Sequence, residues 1–144
     1  MNTILVAVDS SPVADLVIAQ AVGLAPLVGA KIVLLRAVGI PVELPLEAYA
    51  MSPDAVSGLL VEAASRELDA LAEKVPAELL AAKVVEIGTA WRVVCDVARR
   101  EKSSLIVIGA HGHKFLDGLL GTTSARVVNN ADRTVLVVRP QPSA

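Results

Sequence analysis

Aromatic side chains are nearly missing from this chain: Tyr49, Trp91 and Phe115 are all it has in 144 residues. A core built on rings is therefore excluded, and the interior must be filled by Val, Leu, Ile and Ala. Cysteine is just as scarce. With Cys95 alone, no internal disulfide can form, which fits a reducing compartment. Charge of one sign is also lacking: 13 Lys and Arg face 15 Asp and Glu, for a formal net charge of -2. No basic run marks a nucleic-acid footprint or a polybasic membrane anchor. Mean hydropathy is +0.62, yet charged residues or proline interrupt every apolar stretch well short of a membrane span. The first residues lack the basic start and long apolar centre of a secretory signal, so the expected compartment is the cytoplasm.

Several chemistries are missing as well. There is no Gly-x-Ser-x-Gly nucleophile elbow, no zinc cluster and no GxGxxG dinucleotide pattern. A Walker loop needs a lysine directly before its Ser or Thr, whereas Leu120 and Gly121 precede Thr122. His111 and His113 have no carboxylate or cysteine at ligand spacing, and two imidazoles underfill a metal site. No metal-ligating or catalytic residue is therefore assigned, and slow nucleotide hydrolysis is the most that phosphoryl chemistry could amount to here.

What is present is a 54% apolar composition in which short strand-like runs alternate with helical periodicity, the pattern of an α/β domain spanning 1–144. Residues 3–8 form an apolar run stopped by Asp9-Ser10-Ser11-Pro12, with Ser11 placed to cap a helix and Pro12 at its first position. Val13, Val17, Ala21, Leu24 and Val28 recur at helical spacing, Gly29 ends that helix, and residues 31–38 read as a second strand. Three prolines from Gly39 to Pro53 inclusive argue against regular structure there. Asp54 is the expected cap of a long second helix whose inner stripe is Val56, Leu60, Ala64, Leu68, Leu71 and Val75. Residues 82–87 read as strand three, and Val93, Val94, Val97 and Ala98 as the inner face of helix three, with Cys95 packed beside them. Residues 105–108 and 134–139 read as strands four and five.

The chemistry gathers after strand four. The apolar run ending at Ile108 passes directly into Gly109-Ala110-His111-Gly112, and eight residues later Gly121-Thr122-Thr123-Ser124 opens a helix. Glycines at 109 and 112 let a ligand approach the backbone and permit φ > 0. Glycine followed by hydroxyls at a positive helix end offers N–H and O–H donors to an anion. In a parallel sheet this loop and Asp9, which ends strand one, both lie beyond the carboxyl ends of strands, where ligands bind if the two strands are neighbours.

These residues resemble the universal stress protein family over essentially the whole chain. The likeness rests on Ala7-Val8-Asp9-Ser10-Ser11, on residues 107–112, on Gly121-Thr122-Thr123-Ser124-Ala125 and on Ala131-Asp132-Arg133-Thr134-Val135-Leu136-Val137-Val138. It implies an open, doubly wound, five-stranded parallel sheet of order 3-2-1-4-5 with helices on both faces, an adenine nucleotide alpha hydrolase-like fold. It also implies a site for ATP or ADP, with Mg2+ carried on the phosphates. Asp9 would accept from ribose hydroxyls or the adenine amine, and Val8 and Ala37 would border the base beside Ile108. Gly109, His111 and Gly112 would approach ribose and phosphate, and Gly121, Thr122, Thr123 and Ser124 would hold phosphates. ATP-binding members place nine residues before the last glycine; this chain has eight, shortening the path by up to about 3.5 Å.

The final strand, residues 134–138, is apolar and expected at a sheet edge, where pairing with a second copy would cover it. The resemblance implies such a homodimer, acting as a nucleotide-dependent conformational switch read by another protein. The alternative is a dimeric interaction module that has lost nucleotide.

Overall fold

The computed structural model describes residues 2–39, 46–110 and 121–140. In chain order these form β1 (Thr3–Ala7), α1 (Val13–Val28), β2 (Lys31–Val38), a 3-10 helix (Leu46–Ala50), α2 (Pro53–Ala72), β3 (Leu80–Ile87), α3 (Ala90–Arg100), β4 (Leu105–Gly109), α4 (Thr122–Asn130) and β5 (Thr134–Val138). The sheet is parallel throughout and ordered β3-β2-β1-β4-β5. The chain winds outward from β1 through β2 to β3, then crosses back to lay β4 on the other side of β1. The order therefore reverses between β1 and β4, where Val6 lies opposite Val107.

Strand residues alternate between two apolar cores. Ile4, Val6, Ile32, Leu34 and Val107 pack with Val17, Ile18 and Ala21 of α1 and Leu68 of α2. Leu5, Val33, Leu35, Ile106 and Ile108 face the other way, against Val93, Val94 and Val97 of α3 and Val127 of α4. Helices on both faces bury both sides of the central strands, which is why those strands are continuous apolar runs in the sequence. Helix α1 ends where Gly29 adopts φ 66°, with the Ala30 N–H bonded back to the Ala25 carbonyl at 2.9 Å.

Some local expectations are corrected. Ser11 does not cap α1: Pro12 holds the cap position, and the Ser11 hydroxyl is enclosed without a hydrogen-bond partner among the described residues. The Asp9 carboxylate instead accepts the Ser11 N–H at 2.9 Å, which turns the chain before the helix begins. Ser52, not Asp54, caps α2, its hydroxyl accepting the Ala55 N–H at 3.2 Å with Pro53 in the first helical position. The segment taken to be irregular contains the 3-10 helix at Leu46–Ala50. Strand β3 starts two residues earlier than its apolar run, at Leu80, and β5 stops at Val138, one residue before Arg139.

Candidate functional site

The carboxyl ends of β1, β2 and β4 open onto one crevice. Val8 and Asp9 enter it from the loop after β1, Ala37 from β2, and Ile108 and Gly109 from β4. Thr123 and Ser124 come from the first turn of α4, and Ala90 from the start of α3. Val13, Ala14 and Val17 of α1 close one wall. The Val8 N–H bonds to the Leu35 carbonyl at 2.9 Å, so the β1–β2 ladder extends to the lip of the crevice and holds Asp9 there. Asp9 is half-buried.

Gly109 departs from one of the two expectations set for it. It does not adopt positive φ; among the described glycines that conformation belongs to Gly29 and Gly88. A Cβ at 109 would lie 2.7 Å from Val13 Cγ1 and 3.1 Å from Val17 Cγ2. The glycine thus lets α1 close onto the end of β4, and that same approach shapes the crevice wall.

Gly121 occupies the cap position of α4 with φ -63° and ψ 165°, and no side chain caps the helix. No acidic residue lies in the first turn, so no charge of the helix's own first turn would oppose an anion at its positive end. Helix α3 begins the same way, without a side-chain cap or an acidic residue in its first turn. Two helix starts therefore border the crevice from one side. The Ser124 hydroxyl is already committed: it donates to the Gly109 carbonyl at 2.6 Å. Thr122 and Thr123 are exposed.

Of the candidate site residues, Val8, Asp9, Ala37, Ile108, Gly109, Thr123 and Ser124 line this crevice. Gly121 and Thr122 open the same helix without lining it. His111 and Gly112 lie outside the described residues, as does His113. Arg36, Ala90 and Val94 also line the crevice and carry no glycine or hydroxyl pattern that would have singled them out. Among the described residues no group of three or more His, Cys, Asp or Glu could hold a metal ion, and no helix is long and apolar enough to cross a membrane. Trp91 on α3 is flanked by two guanidinium groups, Arg92 at 5.2 Å and Arg126 at 5.9 Å from its ring centroid. The Arg133 hydrogen bond beside Asp132 holds that carboxyl below its usual range, and burial pushes the Cys95 thiol upward.

An open parallel sheet, helices on both faces and a crevice at the point where strand order reverses define a doubly wound α/β protein of the Rossmann-like kind. Residues 1–139 match the universal stress protein family, and the chain belongs to it. Universal stress protein A homolog 2 of Coxiella burnetii (strain RSA 493 / Nine Mile phase I) is 30% identical over 84 residues, 58% of this chain and 57% of that protein. The match thus spans little more than half the length of that relative. Among solved structures, the hypothetical protein MJ0577 superimposes with a TM-score of 0.80 at 19% identity, covering 99% of this chain and 98% of that one. A universal stress protein in complex with cAMP superimposes with a TM-score of 0.67 at 23% identity, covering 95% and 96%. At these identities the likeness is one of fold.

Proposed function

We propose that the crevice binds ATP or ADP and that the chain is a stress-response module whose output is a conformation read by a protein partner. One observation carries this reading. Residues from distant stretches, 8–9, 37, 108–109 and 123–124, converge on a single crevice at the sheet's switch point. The cAMP complex of a structurally similar family member supports a nucleotide as the class of ligand.

In this reading Asp9 accepts from ribose hydroxyls or the base amine, while Val8, Ala37 and Ile108 border the base. The phosphates lie at the start of α4, taking N–H groups near Thr122, Thr123 and Ser124, with Gly121 keeping the approach open. Ser124 braces the site through its hydroxyl and offers its N–H to the ligand. His111 and Gly112 would act from the loop between. Magnesium would be carried on the phosphates with one or two protein oxygens, as that ion prefers. The donor set fits this, since among the described residues it offers a carboxylate and hydroxyls but no group of three or more His, Cys, Asp or Glu. The proposed compartment is the cytoplasm, and the proposed assembly a homodimer through β5, an edge strand on which Leu136 is exposed.

The test is direct. Protein purified without added nucleotide is heat-denatured and its supernatant analysed, and the intact protein is titrated calorimetrically with Mg-ATP and Mg-ADP. Adenine nucleotide in the supernatant, or binding that Asp9→Ala and Gly121→Val abolish, supports the reading. No nucleotide and no binding at millimolar Mg-ATP overturns it. That outcome would favour an interaction module without nucleotide, the reading that the eight-residue spacing before Gly121 supports.

A further inference from the structure

Two arginines share the chain's one tryptophan. The Arg92 guanidinium lies 5.2 Å and that of Arg126 5.9 Å from the Trp91 ring centroid. Trp91 is half-buried against the core that α3 and α4 cover, while both arginines are exposed. Arg126 belongs to α4, so its place over the ring joins the two helices. Arg92 follows Trp91 on the same helix and adds no such link.

Charge sets this pair apart. Among the described residues no carboxylate pairs with Arg92 or Arg126, whereas Arg66, Arg99, Arg100 and Arg133 each meet one. The reason is local. The carboxylate one turn along α3 from Arg92 is Asp96, and it accepts from Arg99 instead, at 3.3 Å. A cation four residues before an acid is the poorer orientation of a helical pair. Helix α4 contains no Asp or Glu, and Asp132 just beyond it is held by Arg133 at 2.9 Å. Two like charges therefore lie over one ring without a counter-charge among the described residues, an arrangement that an approaching anion relieves.

We propose that Trp91, Arg92 and Arg126 form the surface on which a protein partner docks, and that the partner offers an acidic segment to it. Tryptophan and arginine are the residues most enriched at binding hot spots, the ring supplying area and the guanidinium a fork for a carboxylate. A ring already packed on its own core loses little freedom when a partner covers it. A nucleic acid fits less well, because a polyanion needs a basic stripe and this chain has no basic run and a net charge of -2. The surface also adjoins the crevice. Ala90, directly before Trp91, and Thr123, one turn before Arg126, both line it. A shift of α4 against α3 on ligand binding would change the spacing of the two charges. The inference rests on the reading above for the existence of a protein partner, and it adds that partner's chemistry and place.

The probe is a blocked, labelled decapeptide of Asp and Glu around a central Leu, titrated against the full chain at low salt. Anisotropy of the label gives Kd. Tryptophan emission shows where the peptide sits, since Trp91 is the only tryptophan. The expected result is saturable binding with a change in emission, weakened as salt rises and absent when Asn and Gln replace the peptide's acids. Arg92→Gln and Arg126→Gln should each weaken the peptide by about two- to fivefold, the range of one exposed ion pair. Lys102→Gln removes the same charge from an exposed position past the far end of α3 and should leave Kd unchanged. Melting curves without peptide report whether the variants fold, and the wild-type titration needs no variant. No binding at millimolar peptide overturns the proposal, as does an equal loss in Lys102→Gln. So does tighter binding of a single-stranded oligonucleotide or of phosphatidylserine vesicles than of the peptide. An Arg126→Gln loss as large for Mg-ATP as for the peptide would assign that guanidinium to the crevice and overturn it too. Peptide binding by a chain that binds no nucleotide keeps this surface and removes the nucleotide reading; nucleotide binding without peptide binding does the reverse.

Discussion

The Ser124 hydroxyl donates a 2.6 Å hydrogen bond to the carbonyl oxygen of Gly109, pinning the first turn of α4 to the last residue of β4. Ser124 is buried and the two residues stand on opposite sides of the loop that joins these elements, so this bond sets the width of the loop's mouth. Ser124→Ala leaves the Gly109 carbonyl without that donor in a partly buried place. The expected cost is about 1–3 kcal/mol of stability. It should appear as a lower denaturation midpoint at an unchanged slope with denaturant. A midpoint equal to wild type would mean that water replaces the hydroxyl at no cost.

Gly109→Ala tests the packing account of that glycine. The new Cβ meets Val13 Cγ1 at 2.7 Å and Val17 Cγ2 at 3.1 Å, so α1 or β4 must shift, at about 1–3 kcal/mol for overpacking. Adding Val13→Ala removes the closest contact. The double variant should lose less stability than the two single losses summed, and a double-mutant cycle by chemical denaturation measures the difference. Simple additivity would show that the glycine is needed for something other than the approach of α1.

Cys95 gives a pH dependence with a definite sign. Burial on the inner face of α3 raises its thiol pKa above the ordinary thiol value, with the Arg99 charge opposing and Asp96 adding to the rise. The folded chain therefore binds this proton more tightly than the unfolded chain. The contribution to stability is complete below the unfolded pKa and is lost as pH rises from there through the folded value. Unfolding measured across pH 8 to 11, a range set around the usual thiol pKa of about 8.5, should show wild type losing more stability than Cys95→Ala. In the native state the thiol should resist alkylation at pH 8 and react once the chain is unfolded, as the common thiol range of about 8–9 leads one to expect for an accessible group. Parallel pH profiles for the two proteins would remove the burial argument.

How much of this was legible in the residues differs by element. Strand β2 was bounded correctly at 31–38 because both its faces are buried, which forces a continuous apolar run. The caps were harder. Ser11, Ser52 and Asp54 are all good capping residues, and the choice among them depends on the angle at which the chain enters the helix. Gly109 was found for its position at the end of β4 but was expected to adopt positive φ, and its packing role was missed because its neighbour Val13 is almost a hundred residues away in the chain. Arg36 was missed altogether: one charge at the end of an apolar strand has the same appearance whether it faces solvent or a ligand crevice.

The sequence by itself determined the alternation of strands and helices, the aliphatic core and the kinds of group at the strand ends: a carboxylate at 9, glycines at 109 and 121, hydroxyls at 122–124. These follow from local periodicity and from the conformations each residue type tolerates, which act over a few residues. Only the tertiary structure decided which of those ends meet. Alternation is compatible with several strand orders, and it is the pairing of β1 with both β2 and β4 that brings Val8, Ala37, Gly109 and Thr123 into one crevice and sets Arg36 beside it. That pairing is settled by burying both faces of β1 under helices from distant parts of the chain. No short window of residues contains it.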